Sequence, residues 1–157
     1  MALISPADQQ KLQEAFAEMT RSVRLLFFTQ TIGCETCLQT RQILDELPPL
    51  SDRISIDEVN LILDADMARA YGVDRAPAIA VTYQDVSPTS GDPTGAPVAW
   101  KDSRIRFLGA PAGYEFISLV RAVLLAGGLP SALAEESRER IASVDRAVAV
   151  QVFTTPT

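Results

Sequence analysis

The sequence predicts an α/β domain of three layers, in which helices cover both faces of a central, mixed β-sheet. Segments with the pattern of strands alternate with segments with the pattern of helices, an order typical of sheets that contain parallel pairs. Residues 25–28 (Leu-Leu-Phe-Phe) are all apolar, as in a strand that is covered on both faces. The 157 residues are 47% hydrophobic, which is enough for one core.

The first half of the chain has the order helix, strand, helix, strand, helix. Ser5 and Pro6 predict a capped helix start, after which apolar residues recur at helical spacing. Pro48 limits the second helix and Gly72 ends the third. The predicted elements are a helix at 6–19, a strand at 23–29, a helix that carries both cysteines, a strand at 53–59 and a helix at 64–71.

The second half continues with a hairpin and a helix. Pro77 precedes a predicted strand at 78–83, and a further strand is predicted at 104–108. Residues 84–103 contain three prolines and two glycines and predict a long, mobile connection between these strands. Trp100 is expected to anchor this connection, with a substrate contact as the alternative. A helix follows at 114–126, closed by two glycines.

Residues 130–157 repeat the order seen at the start of the chain. Pro130 predicts the start of a helix, and residues 147–153 have the pattern of a strand. One interpretation is a domain at 1–129 followed by the beginning of a second, truncated domain. The other is a terminal helix and strand that pack on the first domain. An unpaired strand at 147–153 would also favour pairing with another chain as a homodimer.

Composition excludes several classes of function. The net charge of −6 argues against binding to nucleic acid. No apolar stretch approaches the roughly 20 residues of a membrane span, and the N-terminus lacks the pattern of a signal peptide. A cytoplasmic protein without membrane contact is therefore expected. The absence of histidine removes histidine-based catalysis and histidine-containing metal sites.

The two cysteines form the strongest motif of the chain. Cys34, Glu35, Thr36 and Cys37 lie between the first strand and a helix whose first turn is expected to carry both thiols. A helix N-terminus favours the thiolate of the first cysteine, and a second thiol two residues later can close a disulfide. Glu35 and Thr36 would tune the pKa and potential, with the Glu35 carboxylate opposing the thiolate. Gly33 lets the backbone turn and leaves the thiol uncovered.

Pro77 and Ala76 are the candidate residues for binding a substrate peptide. A cis Ala-Pro bond before the strand would place a turn and exposed backbone groups beside the disulfide. Two other interpretations of the cysteines compete with a redox site. A zinc or iron–sulfur site would need ligands from a second chain, since structural zinc sites take four. The pair would otherwise be a surface feature without function.

These motifs resemble the thioredoxin superfamily, and more closely the glutaredoxin-like protein disulfide oxidoreductases, which join two thioredoxin-fold units in one chain. The matching stretches are residues 3–8, 33–37, 71–78, 106–116 and 152–157. The resemblance implies a thioredoxin-like fold and thiol–disulfide exchange on protein substrates, with Cys34 as attacking thiol, Cys37 as resolving thiol and Pro77 as the cis-proline. It implies that the chain is the N-terminal unit of a longer protein.

The resemblance also sets expectations for partners and leaves alternatives. A separate reductase would recycle the Cys34–Cys37 disulfide, because no nucleotide-binding fingerprint is present, and no other cofactor is expected. The strand before the cysteines lacks the buried acid of thioredoxins, for which Asp57 and Glu58 are the candidate substitutes. Residues 84–103 are a further departure from the family. The alternatives are a docking and substrate-binding unit whose main active site lies in a missing second unit, and a metal-binding dimer.

Overall fold

The computed structural model describes residues 4–85 and 99–154 of the chain. Its elements follow the predicted order closely. They are α1 (Pro6–Ala17), β1 (Arg21–Thr29), α2 (Cys37–Asp45), a short 3-10 turn (Pro48–Leu50), β2 (Ile54–Asn60), α3 (Ala65–Ala70), β3 (Ala78–Asp85), β4 (Lys101–Leu108), α4 (Tyr114–Ala126) and α5 (Glu135–Ala142). Local signals explain several of the ends. The Ser5 hydroxyl caps α1 by accepting from the backbone N–H of Asp8, and Gly72 after α3 has a positive φ.

The four strands form one mixed sheet in the order β2-β1-β3-β4. β1 and β2 are parallel, whereas β1 with β3 and β3 with β4 are antiparallel. Phe28, near the end of β1, lies opposite Val59 of β2 and Ala78 of β3. The last residue of β4, Leu108, lies opposite the same Ala78. The C-terminal ends of β1, β2 and β4 and the start of β3 therefore meet at one edge of the sheet.

The core is divided between the two faces of the sheet, and β1 contributes to both halves. Val23, Leu25 and Phe27 belong to the larger cluster, which α1, α2 and α4 cover. Leu26 and Phe28 belong to the smaller cluster, covered by α3. Full burial of each such side chain contributes about 1.5–3 kcal/mol. The predicted three-layer sandwich is confirmed. Among the described helices, none is both long enough and apolar enough to cross a membrane.

Two details of the predicted elements are wrong. β4 begins at Lys101, three residues earlier than predicted, so residues 101–103 belong to the strand and not to the connection. Gln84 and Asp85 extend β3 in the same way. The rest of the predicted connection, residues 86–98, lies outside the described residues.

The predicted elements after residue 129 are only partly present. The helix begins at Glu135 and not at Pro130, and no residue of α5 is buried. Glu136 and Arg140 of α5 form an ion pair, at 3.5 Å. Within the described part of the tail, residues 147–153 form no strand, which corrects that prediction. The division of the chain at residue 129 remains a prediction, and residues 155–157 lie outside the described residues.

Candidate functional site

The candidate residues gather where the strand ends meet. The loop after β1 carries the cysteines, Pro77 precedes β3, and the Gly109 N–H donates a 2.9 Å hydrogen bond to the Pro77 carbonyl. The turn after β2 joins this edge, because the Leu61 N–H donates to the Thr29 carbonyl at 2.8 Å. We call this region the disulfide edge. It comprises residues 30–38, 60–66, 74–78 and 108–117.

The two cysteines form a disulfide. The Cys34 and Cys37 Cα atoms are 5.4 Å apart, within the range in which a disulfide closes. The two cysteines are unequally exposed, since Cys34 is half-buried and Cys37 is only 8% exposed. One prediction about this motif is wrong: α2 begins at Cys37, so Cys34 lies in the turn before the helix and not in its first turn.

The residues around the cysteines leave the Cys34 side of the disulfide open. Gly33 has a φ of +76°, a conformation that other residues rarely adopt. Glu35 and Thr36 are exposed, and Glu35 makes no ion pair with any described residue. The Thr36 carbonyl accepts from the backbone N–H of Thr40 at 2.9 Å and from the Thr40 hydroxyl at 2.8 Å. The turn between the cysteines is thus fixed from inside, while its outer surface faces solvent.

The Ala76–Pro77 segment belongs to the disulfide edge, directly before β3. The peptide bond between these residues is cis. Ala76 and Cys34 both pack against the larger core cluster, which places the start of β3 and the disulfide on the same side of the sheet. Arg75 pairs with Asp74 at 2.8 Å, and this guanidinium holds the pKa of the Asp74 carboxyl below its ordinary value. The roles of Ala76, Pro77 and Gly33 in substrate binding remain predictions.

Solved structures are similar to this fold, and a curated protein is similar to this chain in sequence. The AhpF protein of alkyl hydroperoxide reductase from Xanthomonas campestris pv. phaseoli is 35% identical over 99 residues, covering 63% of this chain and 14% of that protein. The N-terminal domain structure of AhpF from Enterococcus faecalis is 24% identical, with a TM-score of 0.70, covering 88% of this chain and 59% of that chain. A protein disulfide oxidoreductase from Aeropyrum pernix K1 is 23% identical, with a TM-score of 0.66, covering 88% of this chain and 54% of that chain.

The chain has the thioredoxin fold. This confirms the fold class that the sequence resemblance implied. No model of a known protein family matches the sequence. The chain spans about one-seventh of the curated relative and less than two-thirds of each of the two solved chains.

The candidate acids on β2 do not occupy a buried position in this thioredoxin fold. Asp57 pairs with Arg24 at 3.2 Å, and Glu58 pairs with Arg41 on α2. Both carboxylate side chains are 52% exposed. Neither therefore substitutes for a buried acid beside Cys37. Within the described residues, no cluster of three or more acidic or cysteine side chains could hold a metal ion.

Two features of this thioredoxin fold were missed at the sequence level. Thr40 is a fully buried polar residue that fixes the turn between the cysteines. The sequence indicates this role only through the position of Thr40, three residues after Cys37 and on the buried face of α2. The second feature is the turn at 60–64, which holds Ile62 and Leu63 exposed. A run of three aliphatic residues, Leu61 to Leu63, is visible in the sequence between Asn60 and Asp64. The place of this turn at the disulfide edge follows only from the register of β1 and β2.

Proposed function

We propose that the protein is a thiol–disulfide oxidoreductase that acts on protein disulfides through Cys34 and Cys37. The observation that carries this proposal is the unequal exposure of two bonded cysteines at the open end of a sheet. Cys34 is accessible to a substrate sulfur, whereas Cys37 is buried and reaches only the sulfur to which it is bonded. A pair arranged in this way attacks with one thiol and resolves with the other.

The exchange takes place in two steps and transfers two electrons from the protein to the substrate. In the reduced protein, the Cys34 thiolate attacks one sulfur of the substrate disulfide, forms a mixed disulfide and releases one substrate thiolate. The Cys37 thiolate then attacks the Cys34 sulfur, closes the Cys34–Cys37 disulfide and releases the second substrate thiolate. The substrate gains two electrons and the protein loses two. The protons released by the two cysteines return to the two substrate thiolates through solvent.

The similar proteins support this chemistry. One solved relative is described as a protein disulfide oxidoreductase, and the curated relative belongs to a hydroperoxide reductase. A peroxide-reducing system is one setting in which a dithiol would pass electrons between proteins. A separate reductase would return two electrons to the disulfide, and no further cofactor is needed for the exchange itself. We place the protein in the cytoplasm, where thiols are kept reduced.

Insulin reduction tests the proposal. With dithiothreitol as the electron donor, the wild-type protein should accelerate the precipitation of insulin chains, and Cys34→Ser should not. The Cys34→Ser protein also lacks the disulfide, so its circular dichroism spectrum must first match that of the reduced wild type. Equal rates for the two folded proteins would refute the proposal.

We also propose that residues 147–153 pair with a second chain. Val148, Val150 and Val152 alternate along this segment and are all exposed. Such alternation is typical of a strand, and the segment would complete a strand by pairing with the edge of another chain. Light scattering should show a mass that rises with concentration. A strict monomer at high concentration would contradict the pairing.

A further inference from the structure

The disulfide edge carries a large share of the exposed apolar side chains of the domain. Six large apolar residues of this edge are more than half exposed: Ile32, Leu38, Ile62, Leu63, Leu108 and Tyr114. The register of the sheet brings them together, because they follow the ends of β1, β2 and β4 or begin α2 and α4. Exposed apolar groups gathered in this way mark surfaces that contact another molecule.

The turn after β2 is one part of this surface that lies apart from the cysteines along the chain. Its two apolar side chains, Ile62 and Leu63, are 69% and 82% exposed. The Asn60 side chain accepts from both of their backbone N–H groups at 3.0 Å. The Asn60 N–H in turn donates to the Asp64 carboxylate at 2.9 Å, and the Asp64 N–H donates to the Asn60 carbonyl at 2.8 Å.

These hydrogen bonds fix the backbone while leaving the two side chains in water. Collapse of Ile62 and Leu63 onto the core would break bonds on both sides of Asn60. The aliphatic groups are therefore presented in a defined position before any partner arrives. Such preorganisation reduces the entropy that binding costs.

The charge of the disulfide edge indicates the chemistry of the partner. Its residues include five carboxylates and a single guanidinium, that of Arg75. Arg75 is already paired with Asp74, whereas Glu35 and Glu115 have no ion-pair partner among the described residues. The apolar side chains thus lie within a negatively charged rim. A complementary surface is apolar at its centre and basic around it.

We propose that Ile62 and Leu63 form a second anchor for substrates, and that the preferred substrates are protein disulfides flanked by apolar and basic side chains. This inference rests on the proposed function, since it names the substrate class of the same disulfide. The turn contacts the peptide on the β2 side of Cys34, while the exchange takes place at the cysteines. A small disulfide reaches the cysteines without touching the turn.

Three disulfide substrates distinguish these contributions. Bis(2-hydroxyethyl) disulfide is too small to span the edge. Two disulfide-linked nonapeptide homodimers carry a central cysteine between leucine and phenylalanine, with outer lysines in one and outer glutamates in the other. Nine extended residues span up to roughly 30 Å, enough to reach the turn from the disulfide. Single-turnover rates of the reduced protein are measured with each substrate by acid quench and mass spectrometry.

The key variant replaces both anchors, as Ile62→Ser with Leu63→Ser. Its rate with the lysine peptide should fall about tenfold, which corresponds to about 1.4 kcal/mol. Its rate with bis(2-hydroxyethyl) disulfide should stay within twofold of the wild type. Leu125→Ser is the matched control, because Leu125 is an exposed aliphatic residue at the opposite end of α4, where the Gly127 carbonyl contacts the start of β1. This control should leave every rate unchanged.

Charge is tested with the wild type alone. The lysine peptide should react several times faster than the glutamate peptide at low salt, and the ratio should approach one at 1 M salt, where screening acts within about 3 Å. Equal rates for the two peptides at low salt would overturn the proposed charge preference. Unchanged peptide rates in the double variant would overturn the anchor.

Other results separate the remaining possibilities. If the rate of the double variant falls equally with bis(2-hydroxyethyl) disulfide, the turn supports the cysteine loop and does not bind substrate. That result would overturn the anchor. A wild-type dimer that the double variant abolishes, seen by sedimentation, would assign the surface to a second copy of this chain and also overturn the proposal. A wild type that reacts with none of the three disulfides would instead refute the proposed function.

Discussion

The hydroxyl of Thr40 donates a 2.8 Å hydrogen bond to the carbonyl of Thr36, the residue that precedes Cys37. Thr40 is fully buried, and its backbone N–H donates to the same oxygen at 2.9 Å. Two donors from one residue therefore hold the carbonyl of the turn between the cysteines. This contact connects the core-facing side of α2 with the position of the Cys37 sulfur.

We expect Thr40→Val to lower the free energy of unfolding of the oxidised protein by about 1 kcal/mol, the usual contribution of one buried hydrogen bond. Valine keeps the shape of threonine and replaces the hydroxyl with a methyl group, while the backbone donor still satisfies the carbonyl. Thr40→Ser is the control, because it keeps the donor. Urea unfolding measures both variants. If serine destabilises the protein more than valine, packing of the methyl group and not the hydrogen bond would be the main contribution of Thr40.

The unequal exposure of the two cysteines predicts different results for their serine variants. Cys37→Ser should still attack a substrate disulfide but should accumulate the mixed disulfide, since the resolving thiol is absent. Cys34→Ser should form no such adduct, because Cys37 is buried. Non-reducing gels and intact mass spectrometry after incubation with oxidised insulin would reveal the adduct. An adduct of similar yield with Cys34→Ser would show that Cys37 can also attack, against this assignment.

The backbone at Gly33 predicts a penalty for any side chain there. A Cβ at Gly33 would meet only the Gln30 side chain at 3.5 Å, so space is available, but the φ of +76° is unfavourable for alanine. Gly33→Ala should therefore cost about 1 kcal/mol of stability and slow the exchange with insulin. Gly33→Asn should lose less, because asparagine tolerates this region better. Urea unfolding measures the loss of stability, and insulin reduction measures the loss of exchange rate. An equal slowing of the exchange in both variants would point to blocked access to Cys34 and not to backbone strain.

Patterns that depend on local chemistry predicted most of the fold. α4 has the predicted bounds because apolar residues at helical spacing are followed at once by Gly127 and Gly128. The apolar run in β1 identified the central strand, because a strand that is buried on both faces needs apolar residues on both. The spacing of Cys34 and Cys37 predicted that they could form a disulfide, which is present, while the role of Pro77 in substrate binding stays a prediction.

Features that depend on partners distant in sequence were missed. Leu38, an apolar residue of α2, is 71% exposed. The helix begins at Cys37, which faces the core, and Leu38 lies about 100° further around the axis. Residues 147–153 have the alternation of a strand, but a strand also needs an edge to bond, which the pattern alone does not supply. The place of Ile62 and Leu63 at the disulfide edge follows only from the pairing of β1 with β2.

The ion pair between Asp102 and Arg106 predicts a pH dependence of stability. The Arg106 guanidinium donates to Asp102 at 2.7 Å and holds the pKa of that carboxyl below its ordinary value of 3.8. Because the folded-state pKa is the lower one, the pair stabilises the protein above pH 3.8, and this contribution is lost as the pH falls through the folded-state pKa. Asp102→Asn should therefore be less stable at pH 7 by about 1 kcal/mol, a value discounted for partial exposure.

The difference between Asp102→Asn and the wild type should disappear in strong acid. Asp66→Asn is the control, since the Asp66 carboxylate is almost fully exposed although it lies 3.4 Å from Arg69. That variant should unfold like the wild type at every pH. Urea unfolding between about pH 2 and pH 7 measures all three proteins. A constant difference for Asp102→Asn across this range would show that lost packing, and not the charge of Asp102, causes the effect.

Trp100 should report on the sheet and not on the substrate. The Arg24 guanidinium lies 4.5 Å from the Trp100 ring centroid, and Arg24 is opposite Thr82, well below the end of β1 at the disulfide edge. Trp100→Phe should thus leave the rate of insulin reduction within twofold of the wild type. Because Trp100 is the sole tryptophan of the chain, Arg24→Met should shift its fluorescence by removing the cation over the ring. A marked fall in insulin reduction with Trp100→Phe would instead support a substrate contact, since phenylalanine retains most of the apolar packing.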